Sequence, residues 1–212
     1  PSEANEVMKK LVEEMEHRYS LFKETGCSDI KQYNEYCEDH PNYDELPYVV
    51  AILDEYADLV DRCKDIARPV LSIAQKARAA GIHLLVCTQR PSTNVINGVI
   101  KGNLPTHVAL MTANTTDSIT IINEGGAEKL LGKGDMLVQS PVVSRVGCVR
   151  LQGCFVQNKE INRIVEFLKN NYRTIYDPAY LNLGESNSVP SSGSFSASGD
   201  KDFHDEKYEY VK

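Results

Sequence analysis

The sequence has 212 residues, 42% of them hydrophobic, which suffices for one sizeable globular domain or for one domain with appendages. It contains no stretch near the ~20 apolar residues of a membrane-spanning helix and no signal peptide, so we expect no membrane contact by this segment. Its net charge of −7 divides into −7 over residues 1–45, +3 over residues 46–170 and −3 over residues 171–212. This balance excludes the broad basic surface of a stand-alone DNA-binding domain. Contact with nucleic acid would need a few placed side chains, or several copies acting together.

The cysteines give no metal-binding or disulfide pattern. They show no CxxC spacing and no clustering with histidine, and they are Cys27, Cys37, Cys63, Cys87, Cys148 and Cys154. We therefore expect reduced thiols in a cytoplasmic protein. Because the first residue is Pro1 rather than methionine, we also expect a processed or excised piece.

Residues 1–45 predict a helical lead-in to the core. Apolar residues recur at three- and four-residue steps over 3–23, which predicts an amphipathic helix ended by Gly26. These residues are Val7, Met8, Leu11, Val12, Met15, Tyr19 and Phe22. A short helix around Ile30–Cys37 and a polar loop follow.

The segment Pro47–Leu59, PYVVAILDEYADL, is the centre of the predicted fold. Its unbroken apolar run, Tyr48–Leu53, predicts a strand buried on both faces of a parallel sheet. Asp54 and Glu55 follow where the strand would leave the sheet, the edge at which such sheets bind ligands. This is a Walker B arrangement, in which one carboxylate lies near Mg²⁺ and the next orients or deprotonates a water. Solvated acids before a helix N-terminus are the alternative, and this segment alone leaves both open.

The following segments alternate between helix and strand. We expect helices over Tyr56–Arg62 and Pro69–Ala80, the latter stopped by Gly81. A second buried strand, Ile82–Cys87, ends at Thr88-Gln89-Arg90-Pro91, which again places polar side chains at a strand end. Later predicted elements are a short helix within 92–104, a third strand over His107–Met111, a polar loop over Thr112–Asp117, helical turns over Ser118–Asn123 and Ala127–Leu131, and late strands over Asp135–Val138 and Arg145–Val156.

The C-terminal part predicts one more helix and then a linker. Ile161–Tyr172 is an amphipathic helix with four residues expected inward: Ile161, Ile164, Val165 and Leu168. Ser186–Gly199 is a Ser/Gly-rich linker, and Phe203–Lys212 is too short to fold alone. The overall pattern predicts an α/β fold with a largely parallel sheet flanked by helices. We divide the chain into a helical lead-in (1–45), a core (46–176) and a linker segment (177–212).

Four blocks resemble the motor domain of the FtsK/SpoIIIE family of DNA translocases. They are DEYADL at 54–59, AQKARAAGIHLLVCTQRPS at 74–92, NGVIKGNLPT at 97–106 and GGAEKLLGKGDML at 125–137. The resemblance covers about residues 1–172, and the last residues stand where that family has its linker towards a winged-helix domain. It implies a RecA-like P-loop ATPase core, a hexameric ring around double-stranded DNA, ATP and Mg²⁺ as cofactors, and a cytoplasmic motor whose protein is anchored to the membrane elsewhere in its chain.

The resemblance also implies residue roles. Asp54 corresponds to the aspartate that supports Mg²⁺, Glu55 to the glutamate that activates water, and Gln89 to the polar sensor of the γ-phosphate. Arg78 corresponds to a family arginine that we nominate as a finger acting on the neighbouring subunit's site. Arg90 and Lys101 lie on loops that face the central pore in this family, where they would grip DNA phosphates. Ion pairing within the chain is the alternative for these three cations.

Two departures from the family pattern stand out. No GxxxxGK[ST] phosphate-binding loop occurs in the sequence, and Lys133 is not followed by Ser or Thr. The family has that loop upstream of the first helix, so we expect this chain to begin after it and to be inactive in isolation. In the loop after the third strand, Thr115 and Ile119 stand where family members commonly carry basic residues.

Three functions remain in competition at this point. The first is part of a ring-forming, ATP-driven DNA translocase for chromosome segregation or DNA transfer. The second is a related conjugation or protein-secretion motor. The third is a ring scaffold that no longer hydrolyses ATP; the presence of Asp54, Glu55 and Gln89 argues against it, because a scaffold needs no adjacent carboxylates.

Overall fold

A computed structural model describes residues 2–144 and 146–181. The two longest helices in this part are α1, Ser2–Thr25, and α7, Asn158–Asn171. The remaining elements, in chain order, are α2 (Ile30–Asp39), β1 (Val49–Leu53), α3 (Tyr56–Arg62), α4 (Ala67–Lys76), β2 (Ile82–Val86), α5 (Gly98–Asn103), β3 (His107–Ala109), α6 (Thr115–Ile122), β4 (Asp135–Gln139), β5 (Val149–Gln152) and α8 (Pro178–Leu181). The predicted α/β class is confirmed. The predicted linker Ser186–Gly199 lies outside the described residues.

Helix α1 packs its apolar stripe into the larger of two cores, as its periodicity predicts. It ends before Gly26, whose φ of 74° is the left-handed conformation that stops a helix. One charged side chain, Arg18, is buried among these apolar residues. Its guanidinium donates to the backbone oxygens of Pro47 (2.8 Å) and Ala80 (2.9 Å) and to Glu14 (2.7 Å). Arg18 thereby fixes α1 to the chain segments that enter both strands of the first sheet.

Strands β1 and β2 form a two-stranded parallel sheet in which Val49 lies opposite Ile82 and Leu53 opposite Val86. The prediction that β1 is buried on both faces is wrong. One face packs on α1, α3 and α4, but the other exposes Val50 by 63% and Ile52 by 62%. Burial of both faces requires covering elements on both, and the described helices pack on one face only.

A close approach at Gly81 fixes the start of β2. The residue has a φ of 72°, and a Cβ there would overlap Cδ1 of Ile30. Helix α4 itself ends at Lys76, and residues 77–81 make the turn into β2, so the predicted helix over Pro69–Ala80 is four residues too long at its C-terminal end. Gly81 marks the end of this turn.

Strands β3, β4 and β5 form a second, antiparallel sheet in which β4 is central. The two predicted late strands correspond to β4 and β5, which form a hairpin, and the third predicted strand, β3, pairs with β4 rather than with the parallel pair. Helix α6 begins at Thr115, inside the segment predicted as a polar loop. The Asn114 side chain accepts from the Asp117 N–H at 2.9 Å, an N-cap that starts the helix earlier than its apolar residues indicate.

Helix α7 forms with nearly the predicted bounds, but its apolar face is exposed. Ile161, Ile164, Val165 and Leu168 are 41–58% exposed, so the prediction that they point inward is wrong. The amphipathic pattern identifies a helix with one apolar face, yet it does not identify what covers that face. In the described part of the chain, no helix is both long and apolar enough to cross a bilayer.

Candidate functional site

The carboxyl edge of the parallel pair β1–β2 brings together residues that are more than thirty positions apart in the sequence. Asp54 and Glu55 leave β1 there, and Thr88, Gln89 and Arg90 leave β2. The backbone holds the two ends side by side, because the Cys87 N–H donates to the Leu53 oxygen at 2.8 Å. The predicted clustering of polar side chains at this edge is therefore present.

The Glu55 carboxylate is held by the end of β2. Thr88 Oγ1 donates to Glu55 Oε1 at 2.6 Å, and the Gln89 backbone N–H donates to Glu55 Oε2 at 2.9 Å. The Thr88 hydroxyl bond, followed by the Gln89 N–H bond, lowers the pKa of Glu55 from its ordinary value. Glu55 is thus an ionised carboxylate in a fixed orientation.

Asp54 differs from its neighbour. Its carboxylate is exposed, and it makes no hydrogen bond or ion pair with any residue in the described ranges. Mg²⁺ in nucleotide sites is bound by one or two carboxylates together with substrate phosphates and waters, so a free carboxylate at this edge fits that ion. No group of three or more His, Cys, Asp or Glu residues suited to a metal occurs within 2–144 and 146–181, so a metal held by protein side chains alone has no support there.

The Gln89 side chain is exposed at the same edge, and only its backbone N–H bonds to Glu55. Its amide is therefore available to a ligand beside the two carboxylates, as a phosphate sensor requires. Binding of the phosphates themselves would need further residues. The sequence has no GxxxxGK[ST] loop, and the backbone N–H groups and lysine of that loop have no substitute at this edge.

The Arg90 guanidinium is exposed and pairs with two carboxylates of α3. Its Nη2 lies 3.0 Å from Asp58 Oδ1 and 2.8 Å from Asp61 Oδ2. The hydrogen bond to Asp61 is the largest cause of the raised pKa of Arg90. Sequence reasoning missed both partners; it placed Thr88 at this strand end but gave it no role. The three-residue spacing of Asp58 and Asp61 puts them on one helix face and was the available signal, but only the fold brings that face to Arg90.

Lys101 belongs to α5, and its half-buried side chain lies against the C-terminal end of α6. Its Nζ donates to the backbone oxygens of Ile119 (3.1 Å) and Thr120 (2.5 Å), carbonyls at the C-terminal end of that helix. The Ile119 oxygen also accepts from the Asn123 N–H at 2.9 Å, and a cation at this end of the helix complements its dipole. Burial lowers the pKa of Lys101. The side chain therefore has a partner within the chain, and DNA contact would require it to leave these carbonyls.

Arg78 lies at the opposite end of the parallel pair from the acidic residues. It sits in the turn between α4 and β2, where its backbone oxygen accepts from the Gly81 N–H at 3.1 Å. Its exposed side chain lines a cleft together with Tyr48 and His83, whose rings stack with centroids 5.9 Å apart. The structure therefore separates Arg78 from the predicted site residues at the carboxyl edge of β1 and β2 in the same chain.

Comparison with known proteins agrees with this geometry. Residues 1–93 match the sequence profile of the FtsK/SpoIIIE family. The chain is 46% identical over 182 residues to the DNA translocase FtsK of Bacillus anthracis, covering 83% of this chain and 23% of that protein. It is 48% identical over 179 residues to the DNA translocase SftA of Bacillus subtilis (84% and 18%) and 43% identical over 182 residues to SpoIIIE of that species (83% and 23%). The chain thus spans less than a quarter of the length of these relatives.

Solved structures with the same fold include motors of related classes. The pCW3 conjugation coupling protein TcpA, in a monomer form with ATPγS, superposes with a TM-score of 0.67 at 27% identity, covering 77% of this chain and 48% of that one. The cytoplasmic domain of the type VII secretion ATPase EccC of Thermomonospora curvata gives 0.62 at 20% identity, covering 71% and 17%. EssC of Geobacillus thermodenitrificans (ATPases 2 and 3) gives 0.62 at 18% identity, covering 81% and 33%; at such identities the likeness shows the fold alone. The predicted RecA-like P-loop ATPase fold is confirmed.

Proposed function

We propose that this chain, which belongs to the FtsK/SpoIIIE family, is part of an ATP-driven motor that moves double-stranded DNA. The observation that carries this proposal is the convergence of Asp54, Glu55 and Gln89 at one edge of the parallel pair, in a chain 46% identical to a DNA translocase. Membership of this family supports an ATPase that uses nucleotide and contacts DNA. We further propose that the motor forms a ring and acts in chromosome segregation or DNA transfer.

The catalytic roles follow from the contrast between the two carboxylates. Asp54, exposed and without a partner in the described part, would hold Mg²⁺, which supplies charge neutralisation on the ATP phosphates when bound. Glu55, an ionised carboxylate at the same edge, would position and deprotonate the attacking water, and Gln89 would contact the γ-phosphate. These residues form the hydrolytic part of an ATP site. The phosphate-binding loop is not in this sequence, so we expect the isolated 212-residue chain to bind ATP weakly or not at all.

Arg78 supports an assembly of several copies. Because it lies at the other end of the parallel pair from Glu55, it would serve the site of a neighbouring subunit, as a ring with head-to-tail interfaces allows. We take that ring to be a hexamer around duplex DNA, in the cytoplasm, with membrane anchoring elsewhere in the protein. Arg90 and Lys101 are the proposed phosphate contacts, each of which would exchange its partner within the chain for DNA.

The first test is ATP hydrolysis by the full-length gene product, with and without duplex DNA. We expect strong stimulation by DNA, and we expect Glu55→Gln to retain ATP binding while turnover stops. Turnover that persists in Glu55→Gln would remove Glu55 from the role of base. Micromolar ATP affinity of the isolated chain would contradict the assignment of phosphate binding to a loop outside it.

A conjugation or protein-secretion motor is the second candidate, because TcpA, EccC and EssC share the fold. Hydrolysis indifferent to DNA would favour it and would leave Arg90 and Lys101 as surface charges. A non-hydrolysing scaffold is the third, and any DNA-stimulated turnover that depends on Glu55 would exclude it.

A further inference from the structure

Thr88 connects the proposed catalytic carboxylate to the proposed DNA contact. Its hydroxyl donates to Glu55 Oε1 at 2.6 Å, and the same oxygen accepts from the Arg90 backbone N–H at 3.1 Å. The guanidinium of the same Arg90 is bonded to Asp58 and Asp61 of α3. A single hydroxyl therefore lies between the carboxylate and the backbone of the arginine.

Both oxygens of the Glu55 carboxylate already accept a hydrogen bond from this segment, one from Thr88 and one from the Gln89 N–H. Bonds to an ionised group are short and strong, so this pair holds the carboxylate against the end of β2. A base that takes a proton from water needs an oxygen turned towards that water. The two bonds therefore hold the carboxylate against the end of β2 and do not turn an oxygen towards a water.

The Arg90 side chain holds residues 88–90 against α3, in addition to the backbone bonds at the end of β2. Its guanidinium bonds to α3, the helix that begins directly after Glu55, at 3.0 Å to Asp58 and 2.8 Å to Asp61. A DNA phosphate offers the same acceptor chemistry as these carboxylates, and the guanidinium fork fits both. Because the pair is exposed, the exchange of carboxylate for phosphate costs little.

We propose that Thr88 is a positioning residue that restrains Glu55 while Arg90 is bound to Asp58 and Asp61, and releases it when Arg90 moves to a DNA phosphate. This inference rests on the proposed function and adds to it a route by which DNA contact reaches the hydrolytic site. This route consists of residues 88–90 and needs no movement of a helix.

The experiment compares Thr88→Val and Thr88→Ser in the full-length gene product, by steady-state ATP hydrolysis with and without saturating duplex DNA. Valine keeps the branched shape and removes the hydroxyl, whereas serine keeps the hydroxyl. We expect Thr88→Val to raise the DNA-free kcat at least about fivefold with an unchanged KM for ATP, the effect of one charge-assisted hydrogen bond lost from the restrained state. The rate with DNA changes little, and Thr88→Ser behaves like the wild type.

A DNA-free kcat that falls or stays constant in Thr88→Val would overturn the proposal, because a merely structural threonine lowers rates with and without DNA alike. A wild type that hydrolyses ATP without response to DNA would instead overturn the proposed function, and this coupling with it. The two failures are therefore distinguishable.

A second arm tests the exchange at Arg90 independently of Thr88. Asp61→Asn removes one carboxylate from the guanidinium, and Asp65→Asn removes an exposed charge four positions along that is not a partner of Arg90. We expect Asp61→Asn to lower, at least about threefold, the DNA concentration that gives half-maximal stimulation, because the competing partner is weakened. Asp65→Asn should leave that concentration near the wild-type value. Equal shifts in both variants would indicate net charge alone and would refute the exchange.

Discussion

Arg78 provides the sharpest test of whether this chain acts between subunits. Strands β1 and β2 are each five residues long, and Arg78 precedes the start of β2 while Glu55 follows the end of β1. At about 3.3 Å per strand residue, the two residues are on the order of 15 Å apart or more along the sheet. A transition-state contact requires hydrogen-bond distance, so Arg78 cannot reach the site of its own chain.

An arginine finger contributes roughly 10³–10⁵ in kcat, so Arg78→Ala in the full-length protein should reduce hydrolysis by about that factor. Glu55→Gln should be inactive for a different reason, since it loses the base. If Arg78 acts on the neighbour, mixing the two inactive variants restores some sites, in which the Glu55 of one subunit faces the Arg78 of the next. In a random 1:1 mixture, roughly a quarter of the head-to-tail interfaces are of this kind.

The assay is ATP hydrolysis across mixing ratios, with assembly followed by light scattering. Recovery should be maximal at equal amounts and should approach roughly a quarter of the wild-type rate if sites act independently. The matched control is Arg68→Ala by itself: Arg68 is an exposed arginine of α4, and this variant should keep its activity without a second variant. No recovery in mixed assemblies that form normally would refute the finger role and return Arg78 to the alternative of a surface cation.

Three further predictions concern the chain itself. Arg18→Met should lower the free energy of unfolding by about 3–5 kcal/mol, because it leaves the carbonyls that Arg18 caps buried without donors. Lys9→Met on the same helix, which removes an exposed ion pair, should leave urea unfolding unchanged. Burial and then Glu124 raise the pKa of Cys148 to about 11, so iodoacetamide at pH 8 should label exposed Cys154 much faster, and equal rates by mass spectrometry would contradict this. Arg150 holds the pKa of Asp135 at about 2, below its ordinary value of about 3.9. The stability advantage over Asp135→Asn should thus be complete above about pH 5 and disappear as the pH falls towards 2; a pH-independent difference would refute it.

The two parallel strands and the polar residues that follow them could be predicted from the sequence because they depend on local patterns. An apolar run ended by Asp54-Glu55 and a second ended by Thr88-Gln89 are sufficient to place four polar residues at one sheet edge. The exposure of one face of β1 and of α7 could not be predicted. An apolar pattern indicates which residues favour burial, but it does not indicate whether another element covers them. The three strands of the second sheet were predicted, but the antiparallel pairing of β3 with β4 was not, since β3 is only three residues long and β4 lies about thirty residues downstream.

The partners of the cations could not be predicted from the sequence, for a different reason. Arg90, Lys101 and Arg78 look alike in the sequence as cations near strand ends or loops. In the structure, Arg90 pairs with the carboxylates of α3, and Lys101 caps the carbonyls of α6. Long side chains choose partners by tertiary geometry, which family resemblance implies but does not specify.

The proposed division of roles between Asp54 and Glu55 depends on the turn that follows β1. Strand β1 ends at Leu53, and both acids lie in the turn that leads into α3. The Tyr56 N–H donates to the Cys87 oxygen at 2.9 Å, so this turn stays bonded to the end of β2. Glu55 thereby accepts from Thr88 and Gln89, whereas Asp54 is the carboxylate left exposed. A metal ligand must be free to meet an ion and its phosphates, and of the two carboxylates only Asp54 is free in this way.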